Sequence, residues 1–117
     1  KLRATKEPKL STVLTSTVGD DSFPHSSLLA LRTMTLLTCE DTGDWNWQIT
    51  SPLIDTQFQN RPIYKKDLIK YALKNDIPLE KTRTCIEGGK PDGTCAECIH
   101  RLKAFEEAGV ADPIKYK

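Results

Sequence analysis

Apolar positions crowd together in one stretch of the chain, alternate in another and recur at helical intervals in two more. The crowded stretch is Leu28-Leu29-Ala30-Leu31-Arg32-Thr33-Met34-Thr35-Leu36-Leu37-Thr38-Cys39. So dense a run predicts a helix buried on most sides, started by Pro24 and by Ser26 or Ser27. Trp45-Asn46-Trp47-Gln48-Ile49-Thr50 alternates, which predicts a strand carrying both tryptophans on one face. Residues 64–76 place Leu68, Tyr71 or Ala72, and Leu73 at helical spacing, and Asn75-Asp76 ends that helix before Ile77-Pro78. Residues 99–108 form a further amphipathic helix with Leu102, Phe105 and Ala108 on one side and Gly109 as its cap. Upstream, the β-branched residues of 10–18 suggest a short strand and Gly19-Asp20-Asp21-Ser22 a turn, while charged residues 1–9 read as a linking segment.

These elements describe an α/β chain of 117 residues, a single domain or part of one. Residues 1–22 are an N-terminal segment and turn, 23–81 a helix–strand–helix body, and 82–117 a loop with a closing helix. A hydrophobic share of 38% allows a modest core. Lysines and arginines balance acids to a net +1, which supplies no field for nucleic acid or an anionic membrane surface. No apolar run reaches the length of a membrane span.

The chemistry concentrates in Thr84-Cys85-Ile86-Glu87-Gly88-Gly89-Lys90-Pro91-Asp92-Gly93-Thr94-Cys95-Ala96-Glu97-Cys98-Ile99-His100-Arg101, which holds three of the four cysteines. Cys95 and Cys98 make a C-x-x-C step, which places two thiolates at one metal centre. The glycines upstream let the loop fold back and bring Cys85 to the same point. Tetrahedral zinc needs a fourth ligand, and Asp92 and His100 are the candidates. A disulfide would leave an odd cysteine, and a redox C-x-x-C belongs at the start of a helix after a strand in a thioredoxin-like unit. Clustered cysteines with metal spacing point to a reducing, cytoplasmic compartment. Cys39, alone in an apolar run, reads as a small buried hydrophobe.

The same segment resembles the C-terminal part of the 7-cyano-7-deazaguanine synthases, queuosine-pathway enzymes of the PP-loop superfamily. That family ends in T-x-[ST]-C, a glycine-containing loop, C-G-x-C-x-x-C-x-x-R-x-x-[AG]-F and A-G-[IVL]-x-D-P. The matching residues are Thr82-Arg83-Thr84-Cys85, Gly88-Gly89, Asp92-Gly93-Thr94-Cys95-Ala96-Glu97-Cys98, Arg101, Ala104-Phe105 and Ala108-Gly109-Val110-Ala111-Asp112-Pro113. Ser51-Pro52-Leu53-Ile54-Asp55 matches the family's A-P-L-I-D, and Lys65 with Leu68 and Ile69 its K-x-x-I-I helix. The resemblance implies a Rossmann-like PP-loop fold with a zinc loop and closing helix. It also implies zinc, ATP and Mg2+ as cofactors, and a deazaguanine substrate whose carboxylate is adenylated, amidated with ammonia and dehydrated to a nitrile.

By the same resemblance Cys85, Asp92, Cys95 and Cys98 are the zinc ligands, with Asp92 standing where the family has its second cysteine. His100 falls on a helix position that is not a ligand in the family. Asp55, Lys65 and Arg101 match positions near the catalytic cleft, and Arg101 has a second reading as a salt bridge locking the last helix. The string nearest to the family's S-G-G-x-D-S phosphate loop, Thr17-Val18-Gly19-Asp20-Asp21-Ser22, lacks the first glycine and reads as a turn. The resemblance therefore implies a partial or reduced relative, completed by an N-terminal half or by homo-oligomerisation. Non-catalytic scaffolding is the alternative, and direct contact with nucleic acid is not expected.

Overall fold

The structure, a computed structural model, describes residues 11–117. The linking segment expected over residues 1–9, and the Leu10 end of the first strand, lie outside the described residues. The chain divides into two compact units between Pro62 and Ile63.

In the first unit, β1 (Thr12–Leu14) and β2 (Gln48–Thr50) pair in parallel, with Val13 opposite Ile49. Parallel strands need a crossover, and α1 (Leu28–Thr42) lies between them in the chain. The Ser27 hydroxyl caps α1 by accepting from the Ala30 amide at 3.1 Å. Thr35 then fastens α1 to β2. Its Oγ1 accepts from the Ile49 amide at 2.8 Å and lies 3.1 Å from the Ile49 carbonyl, so a side chain occupies the backbone groups of the middle β2 residue.

Two expectations change here. Only Leu31 and Cys39 of α1 are buried, whereas Leu29, Leu36 and Leu37 are 78%, 61% and 64% exposed. Apolar density announced a helix buried on most sides, but β2 covers a single face. The strand over residues 45–50 is also shorter than its alternation suggested. Asp44 Oδ1 accepts from the Asn46 amide and side chain, at 3.1 and 2.9 Å, and this turn leaves Trp45 exposed.

The second unit packs α2 (Lys65–Lys74) against α3 (Ala96–Ala108), with a 3₁₀ turn, Leu79–Lys81, between them. Asp67 accepts from the Tyr64 amide at the start of α2, and Asp76, at φ 52°, lies just beyond its end. Ile69, Ala104 and Phe105 form the core, with Leu79 and Ala108 packed on it. The buried face of α2 is therefore Ile69 and Ala72, while Leu68, Tyr71 and Leu73 turn outward. Likewise Arg101 and Phe105 are buried on α3, and Leu102 is partly exposed. Gly109, at φ 78°, closes α3 in the left-handed conformation that glycine adopts without strain.

Candidate metal centre

Cys85, Asp92, Cys95 and Cys98 converge in the second unit, and one ligand atom from each lies within 4.8 Å of all the others. Cys98 opens the buried face of α3, Cys95 is its N-cap, and Cys85 ends the chain segment rising from the 3₁₀ turn. All four cysteines of the chain are free thiols. The Sγ atoms of Cys85 and Cys95 are 3.9 Å apart, far beyond the roughly 2 Å of a disulfide. A tetrahedron with zinc–sulfur arms of about 2.3 Å has edges of roughly 3.8 Å, so this spacing fits one shared ion.

Local backbone builds the donor set. Asp92 Oδ1 accepts from the amides of Thr94 and Cys95 at 2.8 and 3.1 Å, closing a turn that aims Cys95 back at Cys85. Those amide bonds hold the Asp92 carboxyl down at about 2. Cys95 Sγ accepts from the Cys98 amide at 3.4 Å. The Cys85 thiol is lowered, chiefly by the Asp92 amide, whereas burial pushes the Cys98 thiol up to about 12, helped by Cys95. Four donors this close cannot all carry charge without a cation among them. Three soft thiolates and one hard carboxylate suit a divalent ion such as zinc.

Arg83 is a member of this loop that spacing alone did not single out. Its guanidinium reaches the carbonyls of Glu87 and Gly89, and its Nε lies 3.2 Å from the Cys85 carbonyl, so one cation ties the loop between the first two ligands. His100 is outside the cluster.

The other expected site residues are not among these four ligands. Arg101 is buried, and its guanidinium is committed: Nε and Nη2 donate to Asp112 at 2.6 and 2.9 Å, and Nη1 to Thr82 Oγ1 at 2.7 Å. That is the locking salt bridge. Lys65 stands at the first turn of α2. Asp55 belongs to the first unit, where its buried carboxylate accepts from Thr50 Oγ1 at 2.7 Å, the Gln57 amide at 3.0 Å and Arg32 at 3.3 Å. The Thr50 bond leads in lowering its pKa. A cleft of about 220 Å3 lies over it, lined by Arg32, Thr35, Leu36, Gln48, Ile49 and Thr50, smaller than the roughly 300–1,000 Å3 usual for ligand pockets. Residues 17–22 form a turn, with Asp21 accepting from the Val18 amide at 3.0 Å, and α1 starts only at Leu28.

Comparison with known proteins places the chain in a family. The family model for queuosine biosynthesis protein QueC matches residues 20–109. The chain belongs to that family. It is 43% identical over 70 residues to a 7-cyano-7-deazaguanine synthase of Acetivibrio thermocellus, covering 59% of this chain and 28% of that relative. It is 48% identical over 54 residues to the synthase of Thermoplasma acidophilum, covering 45% of this chain and 23% of the relative. The synthase of Oceanobacillus iheyensis is 42% identical over 69 residues, with 58% and 28% covered. The chain thus spans about a quarter of the length of the curated relatives it matches. No solved structure matches. Among the described residues no helix is long and apolar enough to cross a membrane.

Proposed function

We propose that this chain carries the zinc-holding part of a 7-cyano-7-deazaguanine synthase. In this reading the complete enzyme uses ATP and Mg2+ to convert 7-carboxy-7-deazaguanine and ammonia into the nitrile. The observation that carries it is the convergence of Cys85, Asp92, Cys95 and Cys98 inside a chain of this family. A zinc ion held by four protein ligands has no open position for a substrate oxygen or a water, so its contribution is structural. It would fix the loop before α3 and the start of α3 itself.

The nucleotide chemistry falls to polypeptide outside this chain, an N-terminal half or a partner chain. Support comes from the 17–22 turn. A phosphate-binding loop presents amides at a helix N-terminus, whereas here an aspartate side chain occupies the Val18 amide and no helix follows directly. That same turn favours a second reading, a non-catalytic zinc scaffold derived from the synthase fold. Asp55 and Lys65 remain the candidates for contact with a deazaguanine substrate, and Arg101 for positioning.

Metal analysis of the chain purified under reducing conditions, with ATP binding measured on the chain alone and on a polypeptide of the relatives' length, tests both readings. One zinc per chain, with nucleotide bound only by the longer polypeptide, is the result expected of an enzyme part. Failure of the longer polypeptide to bind ATP would leave the scaffold, and absence of zinc would remove both.

A further inference from the structure

Residues 112–117 return to the turn that carries Asp92, where two contacts hold them and Asp112 braces them against α3. The Asp112 side chain, 3% exposed, takes the Arg101 fork and also accepts from the Tyr116 hydroxyl at 2.6 Å. The Tyr116 ring then lies on Gly93: a Cβ added there would meet Tyr116 Cδ1 at 3.2 Å. Gly93 also has φ +78°, so both its conformation and the ring above it call for glycine. Finally, the Lys117 amide donates to the Pro91 carbonyl at 2.8 Å. Pro91 and Gly93 are the two neighbours of Asp92 in the chain.

The tail therefore grips both sides of the single oxygen ligand. A carboxylate is a harder and more readily exchanged zinc ligand than a thiolate, so it is the arm of the site that gains most from being held in place. Arg101 anchors the same clasp to Thr82 and to the Leu79 carbonyl, at the approach to Cys85. We propose that residues 112–117 are a strap that positions Asp92 and slows loss of the bound cation; this rests on the metal reading given above. Tyr116 and Asp112 are positioning residues, acting through Asp92 without touching the ion.

The test follows zinc release from the loaded chain into excess chromogenic chelator. Tyr116→Ala should still load one zinc and release it about tenfold faster, at the lower end of what outer-shell changes do to metal affinity. Tyr116→Phe keeps the ring over Gly93 but loses the hydroxyl, and should accelerate release by less; if the alanine variant fails to fold, this variant decides. Lys115→Ala, on an exposed residue of the same tail, should leave the rate unchanged. Introducing Asp92→Cys into Tyr116→Ala should restore slow release, because a thiolate needs less holding. With cobalt(II) as the probe, Tyr116→Ala should shift the visible d–d bands. Wild-type release rates in both Tyr116 variants, or fast release that Asp92→Cys does not suppress, would overturn the strap alone. A wild-type chain that binds no zinc would overturn the metal reading, and the strap with it.

Discussion

The two units hold their buried charges in opposite ways. In the second unit, Arg101 and Asp112 answer each other, with side chains 7% and 3% exposed, and the four candidate metal ligands converge on one point where a cation would answer them. In the first, Asp55 is buried to 1% while its cation, Arg32, is 53% exposed, and the carboxylate leans on neutral donors from Thr50 and Gln57. Apolar residues follow the same division. Phe105 is enclosed at 3%, whereas α1 in the first unit leaves three leucines more than half exposed. The lesson is that the second unit closes a small apolar core around Phe105 and pairs its buried charges, although Tyr71 and Ile86 stay exposed, while α1 in the first unit has a cover on one face only.

The largest break in that contrast would come from the metal ligands. Cys98→Ala, or removal of zinc by a chelator, should abolish the cooperative thermal transition of the second unit, since structural zinc contributes about 10–16 kcal/mol in small zinc domains. Calorimetry with metal analysis reads both effects. Next comes the clasp: Arg101→Ala leaves Asp112 buried without its cation and should cost about 3 kcal/mol, measured by urea unfolding.

Acid separates the units further. Burial raises the Asp112 carboxyl, but the bonds from Arg101, Tyr116 and the Ile114 amide outweigh it and the net shift is downward. Asp55 is also lowered. Each lowered carboxylate contributes stability that is full above the ordinary value of 3.8 and fades as pH falls below it. Zinc loss should begin at higher pH than either fading, because protons compete for the thiolates first. A pH series with fluorescence and free-zinc readouts should show metal release and loss of the second unit's structure together, at higher pH than the loss of the first unit. A pair of apolar substitutions, one comparable to the clasp and one the smallest effect of all, sharpens the contrast. Phe105→Ala should cost about 3–5 kcal/mol, while Leu37→Ser should stay within about 0.5 kcal/mol in this chain.

How much of this the chain announced depended on distance along it. Cys95, Cys98 and Asp92 lie within seven residues, so spacing alone placed them together, and glycines marked the fold-back toward Cys85. The clasp was less legible: the salt bridge was one of two readings for Arg101, but nothing local to it specified Asp112 eleven residues on or Thr82 nineteen before. Helical periodicity identified α2 and included Ala72, yet it put Leu68 and Leu73 on the buried face where Ile69 stands, because the side facing Ala104 and Phe105 is selected by α3 and not by α2. Arg32 gave a weak signal, a lone cation in an apolar run, whose use emerges only where Asp55 returns beside it.

The most direct test of the account is zinc K-edge X-ray absorption on the loaded chain. Three sulfur scatterers at about 2.3 Å and one oxygen at about 2.0 Å would establish the ligand set of Cys85, Cys95, Cys98 and Asp92. A first shell of nitrogen and oxygen alone, or fewer than three sulfurs, would contradict it.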